Sequence, residues 1–226
     1  MGSDDLFKKR RKERKERKCE MLTPKANSCL IVTEGECTEP MYFEGIEREI
    51  RGKVGGRIDV ENLPRIDIHG EGTATSHLLQ ATRLFVKKAN IVYQNIWIVL
   101  DKDDFEDFDE TLKAAEKEGY NVAWSNQCFE YWLFLHFRYS DAALHRNDWI
   151  RKLDEIFRRL GISDGKYHKN AADIYDIVNT YGSIDNAIKN AKARMKHYDR
   201  LCCKPSAYDP GTTVYELVEQ LKKYLE

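Results

Sequence analysis

Along the chain, short apolar runs alternate with segments whose apolar residues recur at helical spacing. The first run, Cys29-Leu30-Ile31-Val32-Thr33, is continuous, as in a parallel strand covered on both faces. It stops at Glu34-Gly35. Thr38 has the chemistry of a helix cap, with Glu39 and Pro40 in the first turn, and Met41, Phe43, Ile46 and Ile50 carry the apolar spacing onward. Gly52 to Gly56 marks a loop. A second strand is expected at Arg65 to His69, closed by Gly70 and Gly72. Thr75 or Ser76 caps the next helix, with Leu78, Leu79, Leu84, Phe85 and Val86 on its apolar face. The third run, Ile96-Trp97-Ile98-Val99-Leu100, is the strongest and breaks into Asp101-Lys102-Asp103-Asp104. A helix over 108–118 follows, with Gly119 as its stop. The fourth strand is Asn121 to Trp124, and Ser125-Asn126 are expected to cap a helix running to Phe137.

Strand followed by helix, four times over, predicts an α/β fold of Rossmann-like type: a parallel sheet of about four strands with helices on both faces. From Asn147 onward the pattern is helical only, over 147–160, 171–179, 184–197 and 213–225. Thr213 and Glu216 stand at capping-box spacing before the last of these. The expected organisation is an N-terminal arm over 1–24, an α/β core over 25–140 and a helical region over 141–226 folded onto that core.

Hydrophobic residues make up 42% of the 226 positions and charged residues 33%, enough apolar material for a core and too much for wholesale disorder. No apolar run is long enough for a transmembrane helix, and the charged N-terminus lacks the apolar stretch of a secretory signal, so a cytoplasmic protein is expected. The net charge of −1 conceals an asymmetry. Lys8 to Lys18 holds nine basic residues against two acidic ones, a local +7, which leaves −8 for the rest. Such an arm can bind nucleic acid, or simply be a solvated extension. The six cysteines show no Cys-x-x-Cys spacing, and Cys202 and Cys203 are adjacent. Reduced thiols are expected rather than disulfides or a structural zinc site.

The chemistry gathers where the strands end. In open parallel sheets, sites form beyond the carboxyl ends of the strands. Glu34 follows the first strand, with Glu36 and Glu39 beyond it. Asp101 and Asp103 follow the third, and Glu130 opens an otherwise apolar helix after the fourth. Carboxylates crowded at one edge repel one another unless their proton affinity rises or a cation neutralises them. Hard divalent ions with oxygen ligands, Mg²⁺ or Mn²⁺, suit such a set and polarise phosphoryl oxygens. The plainer reading is capping acids in a loop, a solvated Glu36, and a Glu130 ion-paired with Arg138 or a lysine. Lys166 and Lys169 flank Tyr167 and His168 in a polar loop, where either lysine could meet a phosphate. His69 and His77 flank the Gly70–Gly72 loop and could approach the same edge. Trp97 and Trp132 read as core.

The segment Ile31-Val-Thr-Glu-Gly-Glu-Cys-Thr-Glu-Pro-Met-Tyr-Phe43 resembles the opening motif of RloB-like proteins. The run from Trp97 to Phe108 resembles their second motif, and Trp124-Ser-Asn-Gln-Cys-Phe-Glu-Tyr-Trp-Leu-Phe-Leu-His-Phe137 their third. Gly165-Lys-Tyr-His-Lys169 and Pro210 to Leu217 are also similar, so the likeness covers about residues 25 to 225. It implies a TOPRIM-like fold, in which the first glutamate and an Asp-x-Asp motif bind Mg²⁺. That role falls on Glu34, Asp101 and Asp103, with Glu130 as a further ligand, Glu39 as an accessory acid and Lys169 near the phosphate. It further implies a setting in bacterial restriction and abortive-infection loci, an ABC/SMC-like ATPase partner, and relatives that often form homodimers. The joint expectation is a metal-dependent nuclease acting on DNA or RNA in anti-phage defence. The rival is a catalytically degenerate interaction or sensor module that regulates the ATPase.

Overall fold

The computed structural model describes residue 8 and residues 25–54, 64–72, 75–104, 106–198 and 204–225. Apart from Lys8, the basic arm lies outside the described residues, as do Cys202 and Cys203. The chain forms β1 (Lys25–Thr33), α1 (Thr38–Val54), β2 (Arg65–Gly70), α2 (Thr75–Lys88), β3 (Tyr93–Asp101), α3 (Phe108–Lys117) and β4 (Asn121–Asn126). It continues with α4 (Phe129–Leu135), α5 (Arg146–Leu160), α6 (Ile174–Tyr181), α7 (Ile184–Met195), β5 (Gly211–Thr212) and α8 (Val214–Lys222).

The sheet order is β2-β1-β3-β4-β5. The first four strands run parallel, with Ile31 of β1 set between Ile68 of β2 and Trp97 of β3. Ser28 to Thr33 are all buried, so both faces of β1 are covered. Right-handed crossovers account for this, because β1 connects outward to β2 through α1 and β2 returns past β1 to β3 through α2, which puts the two helices on opposite faces.

The expected α/β sheet is present, with one strand more than the pattern predicted. β5 is two residues long and antiparallel to β4, pairing Thr212 with Ser125 and Gly211 with Asn126. Ser125 and Asn126 therefore end a strand and do not cap a helix. α4 begins after Cys128, whose backbone is extended and whose side chain makes no capping bond. The capping box before α8 is also not formed. Thr213 does precede the helix, but its hydroxyl accepts the Trp124 N–H at 3.0 Å. Tying the last helix to β4 thus takes priority over capping it.

All seven residues of α4 are buried, as expected of a helix apolar on every side. Around it Tyr42 packs edge-on against Phe129, Trp132 and Tyr175. The Tyr42 hydroxyl lies 3.0 Å from His136 Nε2, and His136 Nδ1 lies 3.1 Å from the Trp132 carbonyl. A carbonyl only accepts, so Nδ1 carries the proton and Nε2 accepts from the tyrosine. Burial pulls the His136 pKa down to about 4, which keeps the ring neutral. A single hydrophobic cluster joins the sheet, α4 and the helices of residues 146–222. Among the described residues, no helix is long and apolar enough to cross a membrane.

Candidate metal centre

The strand order reverses between the parallel strands β1 and β3, and the crevice beyond their carboxyl ends is where open α/β sheets bind ligands. A cleft of about 490 Å³ lies there. Glu34, Glu39, Asp101, Asp103, Glu130 and Lys169 all line it, together with Arg146, Thr38, Cys128 and the loop from Gly35 to Cys37.

Backbone bonds knit its floor. The Glu34 N–H donates to the Val99 carbonyl, and the Gly72 N–H donates to the Glu34 carbonyl. The Asp101 N–H donates to Glu34 Oε2 at 3.3 Å. Asp101 Oδ2 in turn accepts the Phe129 N–H at 3.1 Å, at the start of α4 where free amides favour an anion. Gly35 makes room for Glu39: a Cβ at Gly35 would overlap the Glu39 carboxyl. Gly70 is equally constrained, since a Cβ there would lie 2.7 Å from the Gly35 carbonyl oxygen and 2.7 Å from Pro40.

Glu130 is the most enclosed of the acids, its side chain 4% exposed. Tyr167 donates to its Oε1 at 3.2 Å, and Lys169 Nζ lies 3.4 Å from the same oxygen. The Tyr167 hydroxyl lies 3.1 Å from Thr38 Oγ1, which donates to the Lys169 carbonyl at 2.7 Å. At the other side of the cleft, Arg146 Nη1 lies 3.0 Å from Asp103 Oδ2.

The electrostatics follow from crowding in a partly dry cleft. Burial pushes Glu34 up to about 7, opposed by the Asp101 N–H and reinforced by Asp103, Glu39 and Asp107. Burial likewise lifts Glu39 to about 7, with backbone N–H bonds opposing and Glu130 reinforcing. Asp101 rises well above the carboxylate range through burial and the repulsion of Glu39, Glu130, Glu34 and Asp103. Asp103 rises by burial, and Arg146 holds it back. Partial burial works against the Lys169 ammonium, and the adjacent Glu130 outweighs this and raises its pKa.

The acids outnumber the two thiols of the cleft, Cys37 and Cys128, and their oxygens match the preference of a hard divalent ion. Among the described residues, no three His, Cys, Asp or Glu side chains already stand in metal-holding geometry. The chemistry of the groups fits such an ion, and binding one would draw carboxyls together and displace their present partners.

Other expected participants lie elsewhere. His69 stacks on Phe85 at 4.2 Å, away from the cleft. His168 is exposed and sits 2.9 Å from Asp164. Lys166 is part of the same exposed turn, its N–H on Asp164. Lys102 donates to the Asp103 carbonyl at 3.0 Å and does not line the cleft. Arg138 stacks over Phe134, so the partner of Glu130 is Lys169. Glu36 is exposed, as expected, yet it lines the cleft and its carboxyl covers Gly72. Trp132 is fully buried and Trp97 nearly so. Cys29, Cys37 and Cys128 are free thiols.

Sequence reasoning missed Arg146, Thr38 as a site residue and Tyr167. Arg146 had one available signal. It opens a helix, the end at which the dipole disfavours a cation, so a local anion is implied.

The sequence model of the family described as RloB-like protein matches residues 29–221. The chain belongs to the RloB-like protein family. The match spans β1 to α8, so it includes every acid of the cleft as well as Arg146 and Lys169. Comparison with curated proteins and with solved structures returns no match.

Proposed function

We propose that this RloB-like protein is a Mg²⁺- or Mn²⁺-dependent nuclease with a TOPRIM-like site, acting on nucleic-acid phosphodiesters in bacterial anti-phage defence beside an ABC/SMC-like ATPase. One observation carries the reading: six acidic residues, Glu34, Glu36, Glu39, Asp101, Asp103 and Glu130, line one cleft at the switch point of a parallel sheet, with Arg146 and Lys169 as the cations lining it. Such crowding raises their proton affinity and is relieved by a divalent cation. Glu34, Asp101 and Asp103 are the residues to hold the ion, with Glu130 as a further ligand. When bound, the ion supplies charge stabilisation at a phosphoryl oxygen and a more acidic water. Glu39, with its pKa near neutrality, is suited to accept or return a proton at physiological pH. Lys169 stands on a short loop anchored by Thr38, and its exposed ammonium can meet a phosphate.

The direct test is cleavage of DNA, RNA and tRNA with Mg²⁺ or Mn²⁺, with and without the ATPase, in the wild type and Asp103→Ala. Metal-dependent cleavage abolished by the substitution supports the proposal. Cleavage that persists unchanged in Asp103→Ala ends this assignment.

A second reading has its own support. Asp103 and Glu130 are already ion-paired, with Arg146 and Lys169. A catalytically degenerate module that senses a phage component or regulates the ATPase would keep these pairs. That reading predicts ATPase binding that is insensitive to Mg²⁺ at this cleft.

A further inference from the structure

Two cations line the cleft, and they are held differently from the acids. Asp101 and Asp103 have short stems tied to the backbone around them. Asp101 accepts the Phe129 N–H, and the Asp103 N–H donates to the Gln127 carbonyl at 3.2 Å. Asp103 itself has φ +38°, so its carboxyl is carried on a tightly specified turn. Arg146 reaches the cleft on a long stem from the first residue of α5, and its side chain is 37% exposed. Nη1 bonds Asp103, whose side chain is 19% exposed. Nη2 stands 3.8 Å from Asp104, beyond hydrogen-bond reach. A guanidinium so placed engages Oδ2, one of the two oxygens that Asp103 could offer a divalent ion.

The geometry points to Arg146 as an exchangeable counter-ion: it holds Asp103 while the cleft lacks a cation, and swings to a substrate phosphate once a divalent ion takes Asp103. This inference rests on the metal-centre reading above and adds to it a phosphate-binding residue and an order of events. Of this pair the arginine moves, because Arg146 has a long, partly exposed stem and Asp103 a short one on a turn held by the Gln127 carbonyl. Its planar fork matches two oxygens of a phosphate, which a point charge does not. Displacing Arg146 weakens metal binding on its own. A phosphate that captures the displaced guanidinium restores it, so metal and phosphate bind cooperatively and each strengthens the other by the same factor.

The experiment titrates Mg²⁺ calorimetrically into the full chain, with and without inorganic phosphate, for the wild type, Arg146→Gln and Arg146→Lys. Melting temperature checks that each variant is folded. Without phosphate, Arg146→Gln should bind Mg²⁺ about two- to five-fold more tightly than wild type, the scale of a partly exposed ion pair removed. Phosphate should tighten Mg²⁺ binding in the wild type and not in Arg146→Gln. Arg146→Lys should retain only part of the coupling. Equal Mg²⁺ affinity in wild type and Arg146→Gln overturns the inference and leaves the metal centre standing. Tighter Mg²⁺ binding with the phosphate coupling intact makes Arg146 a structural counter-ion only, and also overturns it. Absence of Mg²⁺ binding in every protein removes the metal centre itself, and this inference with it.

Discussion

Asp101 Oδ2 accepts the backbone N–H of Phe129 at 3.1 Å, tying the end of β3 to the start of α4. The bond needs an acceptor at this position and does not need a charge. Two substitutions separate these requirements. Asp101→Asn keeps an oxygen for Phe129 and removes a carboxyl from a repelling group, so the cation-free protein should melt no lower than wild type. Asp101→Ala strands the Phe129 N–H, a cost of about 1–3 kcal/mol that the relieved repulsion offsets only in part. It should melt below Asp101→Asn. Both should lose any rise in melting temperature with Mg²⁺ or Mn²⁺. A metal shift of wild-type size in either variant would remove Asp101 from the ligand set.

The pH dependence of stability has a definite sign. Glu34 and Glu39 are each raised to about 7 by burial, from an ordinary 4.5. Between these values the folded protein binds more protons than the unfolded chain, so stability falls as pH rises through that window. Without divalent ions, denaturant midpoints should decline from pH 4.5 to above pH 7, and Glu34→Gln should flatten the decline. Added Mg²⁺ should oppose it increasingly as pH rises, because binding requires the deprotonated acids. A pH-independent midpoint would contradict the buried-carboxyl account.

Tyr167 is buried between Thr38 and Glu130, and its hydroxyl donates to a carboxylate that has little access to water. Tyr167→Phe removes that donor without altering the packing of the ring. The expected loss is about 1.5–3 kcal/mol, the scale of a hydrogen bond to a charged group, read by urea denaturation. A change below about 0.5 kcal/mol would mean that Lys169 alone satisfies Glu130.

Gly35→Ala tests whether Glu39 must sit where it does. The new methyl would overlap the Glu39 carboxyl, which lies at the end of a flexible chain and can move aside. The protein should fold, with melting close to wild type, while metal-dependent activity falls at least as far as in Glu39→Gln. Gly70→Ala meets the Gly35 backbone instead and should cost more stability, since a backbone atom cannot turn away.

Periodicity and composition determined a good deal of this protein. Continuous apolar runs placed β1 and the end of β3, and the acids following them fell at one sheet edge because parallel strands share a direction. That is why Glu34, Asp101 and Asp103 were legible as a group before any coordinates. Glu39 and Glu130 fell at the same expected edge and Lys169 in a polar loop, and the family motifs favoured roles for them there. β5 was not legible, since two residues, Gly211 and Thr212, carry no period and are defined as a strand by their antiparallel pairing with β4. For the same reason Ser125 and Asn126 passed for a cap: they pair in the sheet with Thr212 and Gly211, far downstream in the chain. Arg146 and Tyr167 lie far along the chain from Asp103 and Thr38, and local pattern holds no information about such pairs. Local propensity and strand direction are properties of short segments, which the sequence states directly. The pairing of Arg146 with Asp103 and of Lys169 with Glu130 depends on how the C-terminal helices close over the sheet, and only tertiary packing decides that.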